Sequence, residues 1–327
     1  MAKVKSSIEN EMMYCNEIKK TCGRMSRLHD RAGGRSVVTP ENTVIGFIGT
    51  GVMGKSMASH LVKAGFPVYV YTRTKEKAEE LLAQGAKWAS SPKEIAAGAN
   101  IVFTIVGYPK DVEEVYLGEN GLIPNGKAGS FFIDMTTSSP TLAMRIYQEA
   151  KKAGIHALDA PVSGGDIGAQ EARLSIMVGG EMADFDYVYP LLEKLGTNIA
   201  YQGKEGSGQH TKMCNQIAIA SNMIGVAEAI VYAEKAGLDP ETVLKSITKG
   251  AAGSWSLSNL APRMLKQDFA PGFYIKHFIK DMKIAIDEAA LMGMDAPGLQ
   301  LAKSLYDQLA EKGEENSGTQ VIYKYWK

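Results

Sequence analysis

Lys212, Asn215 and Gln216 fall within one stretch, G-S-G-Q-H-T-K-M-C-N-Q from Gly206, at the i, i+3 and i+4 spacing that shares a helical face. An ammonium beside one or two side-chain amides can bind a carbonyl or hydroxyl oxygen and exchange a proton with it. A solvated helix surface explains the same spacing when it stands alone. Residues 159–165, D-A-P-V-S-G-G, follow an apolar run and end in Ser163, Gly164 and Gly165. Such a turn offers a hydroxyl and successive backbone N–H groups to a carboxylate, or is an ordinary glycine-rich connection. Phe278-Ile279-Lys280-Asp281 sets a cation beside an acid inside a helical period, where an exposed ion pair is the default.

A fourth stretch, G-F-I-G-T-G-V-M-G from Gly46 to Gly54, puts Gly49, Gly51 and Gly54 at G-x-G-x-x-G spacing. It follows an apolar run and opens an amphipathic helix, the context that turns a weak motif into a dinucleotide-binding turn. Gly49 permits the tight turn, Gly51 lets a pyrophosphate reach the backbone, and Gly54 lets helix and strand pack closely. The helix start, Thr50, Val52 and Met53 included, supplies free N–H groups for phosphate. About 20 residues on, an NAD enzyme usually carries an acid on the ribose hydroxyl. This chain has Thr72-Arg73-Thr74-Lys75-Glu76-Lys77 there. Arg73, Thr74 and Lys77 favour a 2′-phosphate and hence NADP(H), with NAD(H) as the alternative.

Those stretches need a scaffold, and the chain supplies its pattern. From Thr43 short apolar runs (44–48, 68–71, 101–105, 131–133, 155–158) alternate with helical periods at 53–64, 75–83, 111–116 and 141–153. That order predicts an α/β fold, a doubly wound, mainly parallel Rossmann sheet, with 174–178 and 198–201 extending it. Beyond Gly206 strand patterns nearly stop. Ser207 can cap a helix over 208–236, roughly 40 Å long, joining the sheet to an all-α C-terminal domain with helices at 240–248, 275–292, 297–313 and near Gln320. The expected division is an N-terminal arm at 1–42, partly disordered, a Rossmann domain at 43–207 and a helical domain at 208–327.

Composition sets outer limits. Lys plus Arg number 36, as do Asp plus Glu, so nothing in the net charge calls for nucleic acid or an anionic membrane. No uninterrupted apolar stretch approaches membrane-spanning length. Cys15, Cys22 and Cys214 are the only cysteines, an odd and sparse set that suits a reducing compartment. The five histidines are scattered, and no metal site is expected. Residues 1–42 lack an apolar signal region. A mitochondrial presequence is countered there by Glu9, Glu11, Glu17 and Asp30. A cytoplasmic location is therefore expected ahead of the mitochondrial matrix.

The four stretches, in this order, resemble the β-hydroxyacid dehydrogenase family, which includes 3-hydroxyisobutyrate dehydrogenases, tartronate semialdehyde reductases and glyoxylate/succinic semialdehyde reductases. The resemblance covers about residues 44–326, and its D-A-P-V-S-G-G and G-x-G-x-x-x-K motifs are together highly specific. It implies that Lys212 is the catalytic lysine and that Ser163, Gly164 and Gly165 hold the substrate carboxylate. Asn215 falls on the motif's asparagine. Gln216 stands where some relatives have a second one, so either amide could touch substrate. Thr137 matches a threonine near the nicotinamide, Val106 and Gly107 the turn beside the cofactor, and Lys280 a cofactor-contacting lysine with Asp281 as its acidic neighbour. Arg73-Thr74-x-x-Lys77 looks like the NADP-preferring version of the strand end, although Thr72 replaces the usual Asn.

The activity so implied is oxidoreduction between a small β-hydroxy acid and its semialdehyde, with Lys212 as general acid or base. Burial, the helix N-terminus and neighbouring positive charge would lower the lysine pKa toward a useful range. Trp255, Phe273 and Phe278 are candidates to set the size of the substrate pocket. An NAD-preferring 3-hydroxyisobutyrate dehydrogenase and a non-catalytic NADP(H)-binding sensor are the alternatives. The presence of Lys212 with its motif speaks against the sensor. Imine reductases normally replace the lysine, and 6-phosphogluconate dehydrogenases need a larger helical domain. A helical domain with several apolar faces suggests a homo-oligomer, dimer or tetramer.

Overall fold

Strands buried on both faces carry continuous apolar residues rather than an alternation, and the centre of this sheet shows why the runs look as they do. In the computed structural model, which describes residues 37–327, β1 (Ile45–Ile48), β4 (Ile101–Thr104) and β5 (Phe131–Asp134) are buried at every position. With β2 (Val68–Tyr71), β3 (Lys87–Trp88) and β6 (His156–Asp159) they form a parallel array in the order β3-β2-β1-β4-β5-β6. The order reverses between β1 and β4, and ligands of such sheets bind outside the carboxyl ends of the strands at that point.

The array continues as a mixed edge. β8 (Leu174–Gly179) runs antiparallel to β6 and to β7 (Val162–Ser163), and β9 (Gly196–Gly203) runs parallel to β8. β3 and β7 are two residues each, too short to show a period. Helices Val52–Lys63, Pro109–Leu117 and Pro140–Lys152 stand where helical periods predict them. The expected helix at 75–83 divides instead into a 3-10 turn, Lys75–Ala78, and a short α-helix, Glu79–Ala83. Lys75 and Lys77 stand in that first turn, where cations oppose the helix dipole.

The helical domain grows from one helix, Ser207–Lys235, 29 residues long. It is long and apolar enough to cross a membrane, yet Met223, Ala227 and Ile230 are fully buried in a core with Phe278, Met282, Tyr306 and Ile322. Helices Pro240–Ile247, Trp255–Asn259, Ala261–Leu265, Ile275–Leu291 and Pro297–Leu309 surround it. A 3-10 helix, Thr319–Trp326, closes the chain. Residues 39–327 make one compact unit. The N-terminal arm expected at 1–42 lies almost wholly outside the described residues.

One expectation fails at the start of the long helix. Ser207 does not cap it: Gly206 occupies the cap position with φ +83°, no side chain of the cap residue bonds there, and Ser207 is the first helical residue. The free N–H groups of that first turn are satisfied from elsewhere, and this fixes the geometry of the site.

Candidate active site

The acid that does the capping is Asp159, at the carboxyl end of β6. Its two oxygens accept the N–H groups of Gly206 and Gln209, each at 2.8 Å. Burial pushes its pKa up and the backbone N–H donors pull it back. Gly208 is required by the same junction. A Cβ there would lie 2.3 Å from the Met177 carbonyl oxygen and 2.6 Å from that of Asp159. The D-A-P-V-S-G-G loop and the lysine helix are thus joined through the first residue of the loop. Asp159 received no role from its sequence context, because a partner about 50 residues away leaves no local pattern.

Gln209 completes the joint. Wholly buried, it donates from Nε2 to the Thr136 carbonyl at 2.7 Å and accepts the Ser138 N–H at 3.0 Å. The Thr136–Ser138 turn after β5 is held from the other side by Asp134, which accepts the Thr136 N–H at 3.1 Å and the Thr104 hydroxyl at 2.8 Å. Burial pushes the Asp134 carboxyl up to about 6. The Thr136 hydroxyl accepts the Val106 N–H at 2.9 Å, so the turns carrying Val106, Gly107 and Thr137 are braced as one wall. Gln209, Asp134 and Thr136 are supports that sequence reading missed. A Gln between the motif glycine and lysine was their only visible trace.

One turn beyond Gly208, Lys212 is 6% exposed and its ammonium has no hydrogen-bond partner among the described residues. Its pKa falls to about 8, chiefly because burial disfavours the charge; Asp281 opposes the shift and Lys280 adds to it. Gln216, equally buried, donates from Nε2 to Asp281 Oδ2 at 2.6 Å and accepts from Asn215 Nδ2 at 2.7 Å. Lys280 donates to the Thr137 carbonyl at 2.7 Å, tying the helical domain to the wall. Its ammonium also lies 2.9 Å from Asp281 Oδ1. That contact is an ion pair without hydrogen-bond alignment, as expected for neighbours along a helix. Asp281 is buried and the Lys280 side chain only 11% exposed, so this is not the exposed pair that the sequence suggests by default.

Ser163 is half-buried at the end of β7, and Gly164 and Gly165 take φ values of +131° and +65°. Only glycine accepts such a pair without strain, so the loop is built for this backbone path. Gly165 opens helix Gly165–Gln170, and a Cβ on it would sit 3.5 Å from the Gly272 carbonyl of the helical domain. Among the described residues no hydrogen bond links Ser163–Gly165 to Lys212; Asp159 joins their elements. Phe278 is fully buried and packs on Phe273 and Tyr306 with ring centroids 5.6 and 5.2 Å away, so it is core and not pocket lining. Trp255 is 69% exposed.

The glycine turn satisfies the fit required of a dinucleotide site. A Cβ on Gly54 would collide with the Gly49 carbonyl oxygen at 1.9 Å, while one on Gly51 would meet nothing within 4 Å. Packing therefore demands Gly54 and makes no demand on Gly51, which leaves close approach of a ligand as its physical reason. No side chain caps helix Val52–Lys63, and no acid stands in its first turn. The Thr50 hydroxyl is buried without a partner among the described residues. At the far end of the crevice Arg73, Thr74 and Lys77 are all exposed, and Arg73 pairs with Asp111 at 3.3 Å.

A Rossmann sheet, an open helix N-terminus at its switch point and a buried lysine beside Lys280 and Asp281 define an NAD(P)-dependent oxidoreductase. The NAD binding domain of 6-phosphogluconate dehydrogenase, as a family model, matches residues 44–203, and that for the NAD-binding region of NADP-dependent 3-hydroxyisobutyrate dehydrogenase matches 206–326. The chain is 66% identical to the oxidoreductase YkwC of Bacillus subtilis over 86% of its length and 98% of that protein. It is 40% identical to 2-hydroxy-3-oxopropionate reductase of Escherichia coli, covering 82% and 92% of the two chains. Its fold matches Mycobacterium tuberculosis 3-hydroxyisobutyrate dehydrogenase with L-serine at a TM-score of 0.80 and 31% identity, covering 86% and 98%. The chain belongs to the 3-hydroxyisobutyrate dehydrogenase family of NAD(P)-dependent hydroxyacid dehydrogenases.

Proposed function

We propose that this enzyme interconverts a small β-hydroxy acid and its semialdehyde with NADP(H) as preferred cofactor and Lys212 as the general acid/base. The observation that carries the reading is the lysine itself: buried, without a hydrogen-bond partner among the described residues, and with its pKa lowered to about 8. A group titrating near operating pH serves in both directions. When bound, the nicotinamide supplies or accepts the hydride. Neutral Lys212 removes the hydroxyl proton in oxidation, and its ammonium returns a proton to the aldehyde oxygen in reduction. Asp281 holds Gln216, and Gln216 in turn accepts from Asn215, so the two amides are fixed one turn from Lys212 where the substrate oxygen is to be bound. Ser163 and the N–H groups of Gly164 and Gly165 take the carboxylate.

Substrate size and chemistry agree with what similar proteins bind or are named for. The Mycobacterium tuberculosis structure holds L-serine, itself a small β-hydroxy acid, and the Escherichia coli relative is named for a hydroxy-oxo acid. Arg73, Thr74 and Lys77, with no acid at the end of β2, support NADP(H). Lys212→Ala should lower kcat by roughly 10²–10⁴ while dinucleotide binding persists, and retained turnover would refute the lysine's role. In the unsubstituted enzyme, the rate of alcohol oxidation should rise with pH through about 8 as Lys212 loses its proton, and aldehyde reduction should fall over the same interval.

A further inference from the structure

The Arg73–Asp111 pair spans the strand that carries the glycine turn. β2 and β4 flank β1 in the sheet. Arg73 lies two residues beyond β2, and Asp111 is the third residue of helix Pro109–Leu117, which follows β4. Neighbouring strands are about 4.8 Å apart, so a bond between these residues passes over the end of β1, where the dinucleotide crevice opens.

The two halves of the pair are held very differently. The Asp111 side chain is 11% exposed, and its second oxygen accepts the Tyr108 N–H at 3.1 Å. Gly107 leaves room for it: a Cβ there would lie 3.1 Å from that oxygen. Arg73 is 78% exposed and meets Asp111 through one nitrogen at 3.3 Å. The acid is anchored to the backbone and the guanidinium is free to swing. A single contact to a largely exposed guanidinium holds it weakly, whereas a phosphate dianion offers a guanidinium shorter, paired, charge-assisted bonds. A 2′-phosphate would therefore draw Arg73 away and leave the fixed Asp111 charge facing it.

We propose that Asp111 is a selectivity residue for the dinucleotide, retaining Arg73 when the ribose bears a hydroxyl and opposing the phosphate when it bears one. The inference rests on the NADP(H) reading and deepens it. Asp111 holds the preference for NADP(H) below what Arg73 alone would give, and the enzyme accepts both dinucleotides. Removing the charge, not the acceptor, sharpens the choice.

The test is binding, not turnover: Kd for NADPH and for NADH, read from nicotinamide fluorescence on the full chain. Asp111→Asn keeps an oxygen for the Tyr108 N–H and should raise the ratio of NADH Kd to NADPH Kd by about three- to tenfold. Asp111→Ser should move the ratio the same way. In an Arg73→Ala background, Asp111→Asn should still raise the ratio, but by less, because only the repulsion between the Asp111 charge and the phosphate is then removed. An unchanged or lowered ratio in both Asp111 variants, with Arg73→Ala lowering it, overturns the selectivity role alone. A ratio unmoved by Arg73→Ala overturns the NADP(H) reading beneath it.

Discussion

Two turns in this chain share one local pattern, G-x-G opening a helix, and meet opposite fates. At Gly49-Thr50-Gly51 the helix Val52–Lys63 begins with no side-chain cap and no acid in its first turn, and the space over Gly51 is clear. At Gly206-Ser207-Gly208 the helix that carries Lys212 begins on the buried carboxylate of Asp159, with backbone packed against Gly208. Each helix start presents unsatisfied N–H groups and a positive dipole end. The first keeps them for an incoming anion. The second has its anion built in, and so becomes a fixed mount for a side chain one turn further on.

Filling the closed junction should have the largest consequence. In Gly208→Ala the added carbon meets two backbone carbonyl oxygens, which no rotamer change can relieve. Folding stability in urea should drop by roughly 3 kcal/mol, and Lys212 should shift with its helix. A melt matching the unsubstituted chain would show that the junction is looser than the distances imply. Asp159→Ala should cost less, about 1–2 kcal/mol, since losing two buried acceptors is partly offset by removing a carboxylate whose pKa burial already raises. Its kcat should fall by about tenfold or more, because small misplacements of a reacting group are costly. Normal kcat in a folded Asp159→Ala would mean that the built-in anion is dispensable for positioning Lys212.

The same comparison explains what could be read in advance. The alternation of strands and helices, the glycine turn and the Lys212 stretch were legible because each is a local pattern: a run, a spacing, a period. Asp159, Gln209 and Asp134 were not, because their partners lie on other elements. Gln209 reaches Thr136 across 73 residues and Asp159 reaches Gly206 across 47. The capping error at Ser207 has that origin too: a serine at a helix start is a good local guess, and a distant acid outcompeted it. Lys280 and Asp281 looked like surface charges because sequence alone does not show that helix Ile275–Leu291 presses them against Thr137 and Gln216.

Gly51→Ala, the mildest change to the fold, is also the most specific to the ligand. Gly51 has φ −72° and ψ −165°, a conformation open to any residue, and its Cβ would meet no protein atom within 4 Å. Stability should change by less than about 1 kcal/mol, the cost of replacing glycine by alanine at a helix cap. Dinucleotide affinity should nonetheless weaken by roughly tenfold or more, about 1.4 kcal/mol, because the methyl group occupies the space through which the pyrophosphate approaches the backbone. The loss should be similar for NADPH and NADH, since both carry the same pyrophosphate. Titration calorimetry beside a urea melt reads both quantities on one sample. If Gly51→Ala bound either dinucleotide as well as the unsubstituted chain, the open helix start would be no phosphate site, and the contrast with the Asp159-capped helix would lose its functional meaning.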